Sequence, residues 1–271
     1  MKKSFLVIAL IAIIFGSCKK DTINSTTTTP PAKYTINSSD VGDTTTNYLM
    51  AKDTTNLDSF LLGDPGEGKT WDFALAGNDK TDTMKFLNPS STPAASSFPT
   101  SNLVMMPEPG QEIYAYLNKT DALLEMIGLY SNQQGIIMNA AHTDKQTIIK
   151  FPAYFGTSFT DAGAVDVIVN YSGTWIKLEM RSNYSSQIDA SGKITTPTGT
   201  FDCIRDKRTE IQNSTMYISF SQTGPWTLQG NPSIDTTYLY NFYSKGKGYS
   251  VAEIKVKDLT SNTIKEIKYL K

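Results

Sequence analysis

Histidine and cysteine are nearly missing from this chain of 271 residues, which holds one of the first, His142, and two of the second, Cys18 and Cys203. A metal centre built on imidazole and thiolate lacks the ligands to form, and no cofactor motif is present. A thiol catalyst needs a histidine beside it. Nothing in the sequence brings Cys203 to His142, and FDCIRDK reads as a strand carrying a small buried residue. The G-x-S-x-G elbow of serine hydrolases is missing as well. An excess of charge is also lacking: 25 Lys and Arg oppose 26 Asp and Glu, the net charge is −1 and the lysines are dispersed. That balance excludes a phosphate-tracking surface, and nucleic acid with it. The apolar run Phe5–Phe15 is too short to cross a bilayer, which takes about 20 helical residues.

That run has another use. Lys2-Lys3, the apolar segment and Gly16-Ser17 have the layout of a signal peptide over 1–17. Cys18 follows, and the junction resembles a bacterial lipobox, whose cysteine becomes the lipidated, palmitate-bearing first residue of the mature protein. The KKDT start is similar to the surface-export signal of Bacteroidetes lipoproteins, with one acidic residue where two are usual. The resemblance implies a lipid anchor at Cys18 in the outer membrane, on its surface or periplasmic face, and leaves Cys203 without a disulfide partner. Residues 18–33, rich in Thr and Pro, then form the lipidated N-terminus and a flexible tether.

From Tyr34 to Lys271 short alternating or apolar runs rich in Thr, Tyr, Val and Ile alternate with Gly, Pro, Asn and Ser. These are strand signals. The fold expected is all-β, with antiparallel sheets in a sandwich or open half-barrel built from sequential hairpins. A soft boundary near 151–163 would divide it into two subdomains. In VDVIVNYSGTWIKLEM a two-residue turn at Ser172-Gly173 sets Tyr171 opposite Thr174. Val169, Val167 and Val165 then face Ile176, Leu178 and Met180, and Asp166 falls opposite Glu179, a like-charge pair that costs a few tenths of a kcal/mol. A last hairpin over 251–270, with one face wet, follows from the same alternation. DALLEMIGLY, 121–130, fits a helix or a strand. The Pro- and Ser-rich stretch 88–102 reads as a long irregular crossing.

Gly63, Gly68, Lys69 and Thr70 match G-x-x-x-x-G-K-[ST]. A phosphate loop must open a helix, whereas Trp71 and Phe73 continue this one as a strand, so nucleotide is not expected. Asn78, Asp79 and Asp82 could offer oxygens to calcium, but turn chemistry accounts for them and no metal site is expected. Ser244 and Lys247 mimic S-x-x-K within a glycine turn. Trp175, Trp226, Tyr238 and Tyr240 are candidates for ligand-facing aromatics, able to stack on sugars or to line an apolar pocket.

GEGKTWDFALAG, TPTGTFDCIR and YNFYSKGKGYSVAEIKV together resemble uncharacterised β-rich envelope lipoproteins of Bacteroidetes, in which W-[DN]-F follows a glycine turn and T-P-x-G-[TS]-[FY] leads into a strand. The T-P-x-G-T-F-x-C element is also similar to one in open-barrel and half-barrel periplasmic proteins related to lipoprotein carriers. The resemblance implies no activity. The function expected is that of a non-enzymatic envelope lipoprotein that binds a glycan or an envelope protein, or has a structural role. A hydrolase with dispersed active-site residues is the remaining reading.

Overall fold

The computed structural model describes residues 32–55, 57–107, 111–133, 135–259 and 263–271. The leader, Cys18 and the tether as far as Pro31 lie outside the described residues. The strands are β1 (Asn47–Asp53), β2 (Gly66–Asp72), β3 (Lys80–Leu87), β4 (Leu103–Met106), β5 (Glu112–Lys119), β6 (Leu123–Gln133) and β7 (Ile136–Lys150). They continue with β8 (Ser158–Tyr171), β9 (Thr174–Thr196), β10 (Gly199–Ser219), β11 (Thr227–Tyr243), β12 (Ser250–Val256) and β13 (Ile264–Leu270). Among the described residues the only helical segments are single 3₁₀ turns. DALLEMIGLY is strand, because Leu124 and Met126 have apolar neighbours on the ladder and no helix partner exists to cover them.

Twelve of these strands form a closed antiparallel ring in which β1 pairs with β3, β3 to β13 then follow in chain order, and β13 returns to β1. The sandwich and the open half-barrel are therefore both incorrect. What closes the ring is the ladder from Met50↔Leu270 to Asp53↔Ile267, a pairing of first strand with last that no chain of local hairpins specifies. Of the stretch 151–163, residues 151–157 join β7 to β8 and residues 158–163 open β8, all within this one sheet.

β2 stands outside the ring. Beyond the first residue of β8, Ser158 opposite Gln187, β2 takes over the same edge of β9 and runs parallel to it from Ala190 to Thr195. Gly192 makes this approach possible: a Cβ there would lie 1.9 Å from the Lys69 carbonyl oxygen.

The Val165–Met180 hairpin has the expected register throughout. Ser172 and Gly173 have φ of 50° and 86°, the paired positive values of a type I′ turn. The Asp166–Glu179 repulsion is relieved by Arg181, 2.6 Å from Asp166, and Lys177, 2.8 Å from Glu179. The last hairpin forms with one polar face, Glu253, Lys255, Glu266 and Lys268, half-buried to exposed, and its apolar outer face covered. Segment 57–76 crosses it, and Leu62, Trp71 and Phe73 pack on Phe242, Ile254 and Ile267.

The barrel interior is filled from around the ring by Tyr48, Phe86, Leu117, Ile149, Ile204 and Tyr243 among others. A second strap, 88–102, stacks Phe98 on Tyr116 with centroids 4.2 Å apart and covers the outside of β4 to β6. The chain enters at what we call the lower end, where Ile36 bridges to Ala153 and Val41 to Gly248. The β6–β7, β8–β9 and β10–β11 turns lie at the upper end. β12 pairs with β11 only at Tyr238–Tyr243, so the hairpins of β8 to β11 rise above the ring.

Candidate functional site

Outside the ring, β8, β9 and β10 leave a concave strip that neither strap covers. Two overlapping depressions of about 580 and 420 Å³ run along it. Strand alternation builds them: the rows Ser158–Gln187–Lys207 and Thr160–Ser185–Thr209 face outward, and their neighbours Ser186 and Arg208 are buried. Asn183 and Ile211 extend the strip upward. Asp161 lies along it, with its carboxylate accepting the Thr147 N–H at 2.7 Å. Phe159 closes one side, with the Lys150 ammonium 5.2 Å from its ring, and Tyr238 lies across the ladder from Thr209. Hydroxyls, amides and one lysine beside the Phe159 ring suit a polyhydroxylated ligand better than a charged or oily one.

Inside, a polar layer crosses the barrel above the apolar fill. Asp206 is fully buried and accepts the Ser186 hydroxyl at 2.6 Å, while its Oδ2 has no hydrogen bond. Burial pushes its carboxyl above the ordinary range, with the Arg208 charge opposing. The Arg208 guanidinium donates to the carbonyls of Ile148 and Thr147 at 2.9 and 3.1 Å and lies 5.3 Å from the centre of the Tyr184 ring. Above it a niche of about 120 Å³ is lined by His142, Gln146, Tyr184, Glu210, Met126 and Met180, among others. Burial raises Glu210 and pushes Tyr184 up to about 12. It also lowers His142, whose ring nitrogens are sealed and make no hydrogen bond. Burial thus favours the neutral forms of these groups.

Arg205 points the other way, under strap 57–76. It grips Asp189 with two bonds of 2.7 and 2.9 Å, donates to the Leu62 carbonyl, and lies 5.3 and 5.0 Å from the rings of Trp71 and Tyr240.

The four candidate aromatics therefore separate into two places. Tyr240 is buried in the strap layer and is not ligand-facing, while Tyr238 packs at the margin of that layer. Trp175 and Trp226 are half-buried near the upper turns, where the Lys177 ammonium is 5.4 Å from Trp226. Trp175 pairs with Ser219 and Tyr240 with Lys207, about 40 Å apart along β10 at 3.3 Å per residue. Cys203 lies in the strap layer and His142 in the interior niche, on opposite sides of the sheet; burial pushes the thiol up. Lys69 and Thr70 sit within β2, opposite Gly192 and Lys193. Asp79 accepts from the Thr54 N–H and hydroxyl, both at 2.8 Å, and Asp82 pairs with Lys80 at 2.7 Å.

The sequence reading missed the groove, Asp206 and the Arg205–Asp189 pair. One signal was available for the buried charges: FDCIRDKRTE carries six charged residues inside an otherwise strand-like run, too many for one wet face.

Comparison with family models and with curated proteins finds no match. Among solved structures, the crystal structure of a candidate lipoprotein from Parabacteroides distasonis ATCC 8503 aligns over 83% of this chain and 92% of its own, at 12% identity and a TM-score of 0.38. Agreement that weak does not establish a shared fold.

Proposed function

We propose that this is a non-enzymatic, lipid-anchored protein of the outer membrane that holds a glycan in the groove outside β8, β9 and β10. The observation that carries the reading is the outward row of Ser158, Thr160, Ser185, Gln187 and Thr209, left uncovered between the parts of the sheet that the two straps cover. Hydroxyl and amide side chains beside the Phe159 ring match the alternating polar edges and apolar faces of sugars. The Cys18 junction and the W-D-F and T-P-x-G-T-F stretches support placement in the envelope.

Calorimetric titration against a panel of neutral polysaccharides tests the groove. Saturable binding to one of them, abolished by Ser185→Arg, is expected; flat titrations throughout would remove the reading. The anchor is tested separately by the mass of the mature N-terminus, which should carry acyl chains on Cys18 and lose them in Cys18→Ala.

A further inference from the structure

Three hairpin tips at the upper end are free of formal charge, although the β12–β13 turn at the same end carries Lys257 and Asp258. No Asp, Glu, Lys or Arg occurs in 126–143, 167–176 or 211–234, in a chain whose charged fraction is 19%. These three stretches are remote in sequence. The ladders bring them together as the β6–β7, β8–β9 and β10–β11 turns with their adjoining strands. The same stretches expose several large apolar side chains: Phe220 is 92% exposed, Ile234 71%, Ile137 59% and Tyr171 58%, while Leu75 and Leu61, at 90% and 78%, are the comparable residues on strap 57–76.

We infer that these hairpin tips dip into an uncharged phospholipid surface. Two observations favour lipid over a protein partner. First, apolar side chains are exposed on both faces of the raised ribbon. Ile168, Leu228 and Ile234 stand on the outer face, and Tyr171 and Met216 on the inner one. A protein docked on a sheet covers one face, whereas acyl chains solvate both.

Second, the side chains are graded by depth. Phe220 is at the apex, and below it Trp175, Tyr217 and Trp226 form a belt of the amphipathic rings that favour a membrane–water boundary. The first charge, Lys177, lies opposite Tyr217 at the level of the belt, 4.5 Å from that ring and paired with Glu179; Arg181, paired with Asp166, comes four residues further down, level with Ile234. From the Ser172–Gly173 turn to Lys177 is about 15 Å along the strand, half the thickness of a hydrocarbon core. The tips therefore enter one leaflet and do not span. The chain enters the barrel at the opposite end, so this contact is distinct from any acyl anchor and does not depend on one.

The purified full chain is mixed with phosphatidylcholine vesicles whose acyl chains carry bromine, and tryptophan emission is followed. Trp71 is buried at 3% exposure, so the change reports Trp175 and Trp226. We expect a blue shift with quenching, equal at low and high salt because no formal charge takes part. The double variant Phe220→Asp, Tyr171→Asp should partition roughly ten-fold or more weakly, while acyl-driven flotation and the thermal midpoint stay unchanged. Unquenched wild-type protein on floated vesicles would overturn the inference. So would equal quenching in the variant, a requirement for anionic lipid, or a lipid-independent dimer that Phe220→Asp dissolves.

Discussion

Arg205 and Asp189 close on each other through two parallel bonds of 2.7 and 2.9 Å, both side chains buried beneath strap 57–76. Removing one partner leaves the other charge without compensation in the dry layer. Arg205→Ala should cost roughly 3–5 kcal/mol, and the double replacement Arg205→Met, Asp189→Leu distinctly less. Urea midpoints of the three proteins check this. A red shift of Trp71 emission in Arg205→Ala would report the strap lifting, since the guanidinium also holds the Leu62 carbonyl.

Asp206 sets a pH dependence of the opposite sign from that of an exposed, hydrogen-bonded carboxylate. Burial raises its folded-state pKa. Its contribution to stability is therefore complete below the unfolded value near 3.9 and is lost as pH rises through the folded one. Asp206→Asn should stabilise the protein at pH 7, with the advantage vanishing as pH falls to about 4, near the unfolded value. Paired urea titrations at the two pH values read the difference. A variant less stable at pH 7 would contradict the assignment.

The turn at Ser172-Gly173 needs two residues at positive φ. Asparagine accepts that conformation more readily than serine, so Ser172→Asn should gain a few tenths of a kcal/mol. Gly173→Val forces a β-branched residue into the left-handed region and should lose about 1–2 kcal/mol. Thermal midpoints of the two variants should move in opposite directions.

Tyr238 and Tyr240 lie two residues apart on the same strand and should respond differently to truncation. Tyr238→Ala should weaken glycan binding by roughly 1–2 kcal/mol with little loss of stability. Tyr240→Ala opens a cavity beside Arg205 and should cost about 3–5 kcal/mol of stability. Calorimetry for the first and urea unfolding for the second separate the two roles.

Much of the local architecture was legible in the chain. The Val165–Met180 hairpin follows from a two-residue alternation with a glycine turn at its centre, because both act over a few residues. The closed ring was not legible, since β1 meets β13 across the whole length of the chain. Nor was the covering of the outer face. Tyr240 alternates as an outward residue should, and only the irregular segment 57–76, whose own pattern names no docking site, makes it core. The groove went unnoticed for the converse reason: Ser185, Thr209 and Thr160 look like any wet face until the straps are seen to stop short of them.

The seam between β1 and β13 also governs how the molecule is made. Until Ile264–Leu270 has arrived, β1 and β12 both present unpaired edges, and such edges recruit other chains. Closure waits on the most distant contact in the polypeptide, which slows folding and lengthens the exposure to aggregation. Shortening the protein by its last strand should therefore harm its yield far more than the loss of seven residues' contacts would suggest.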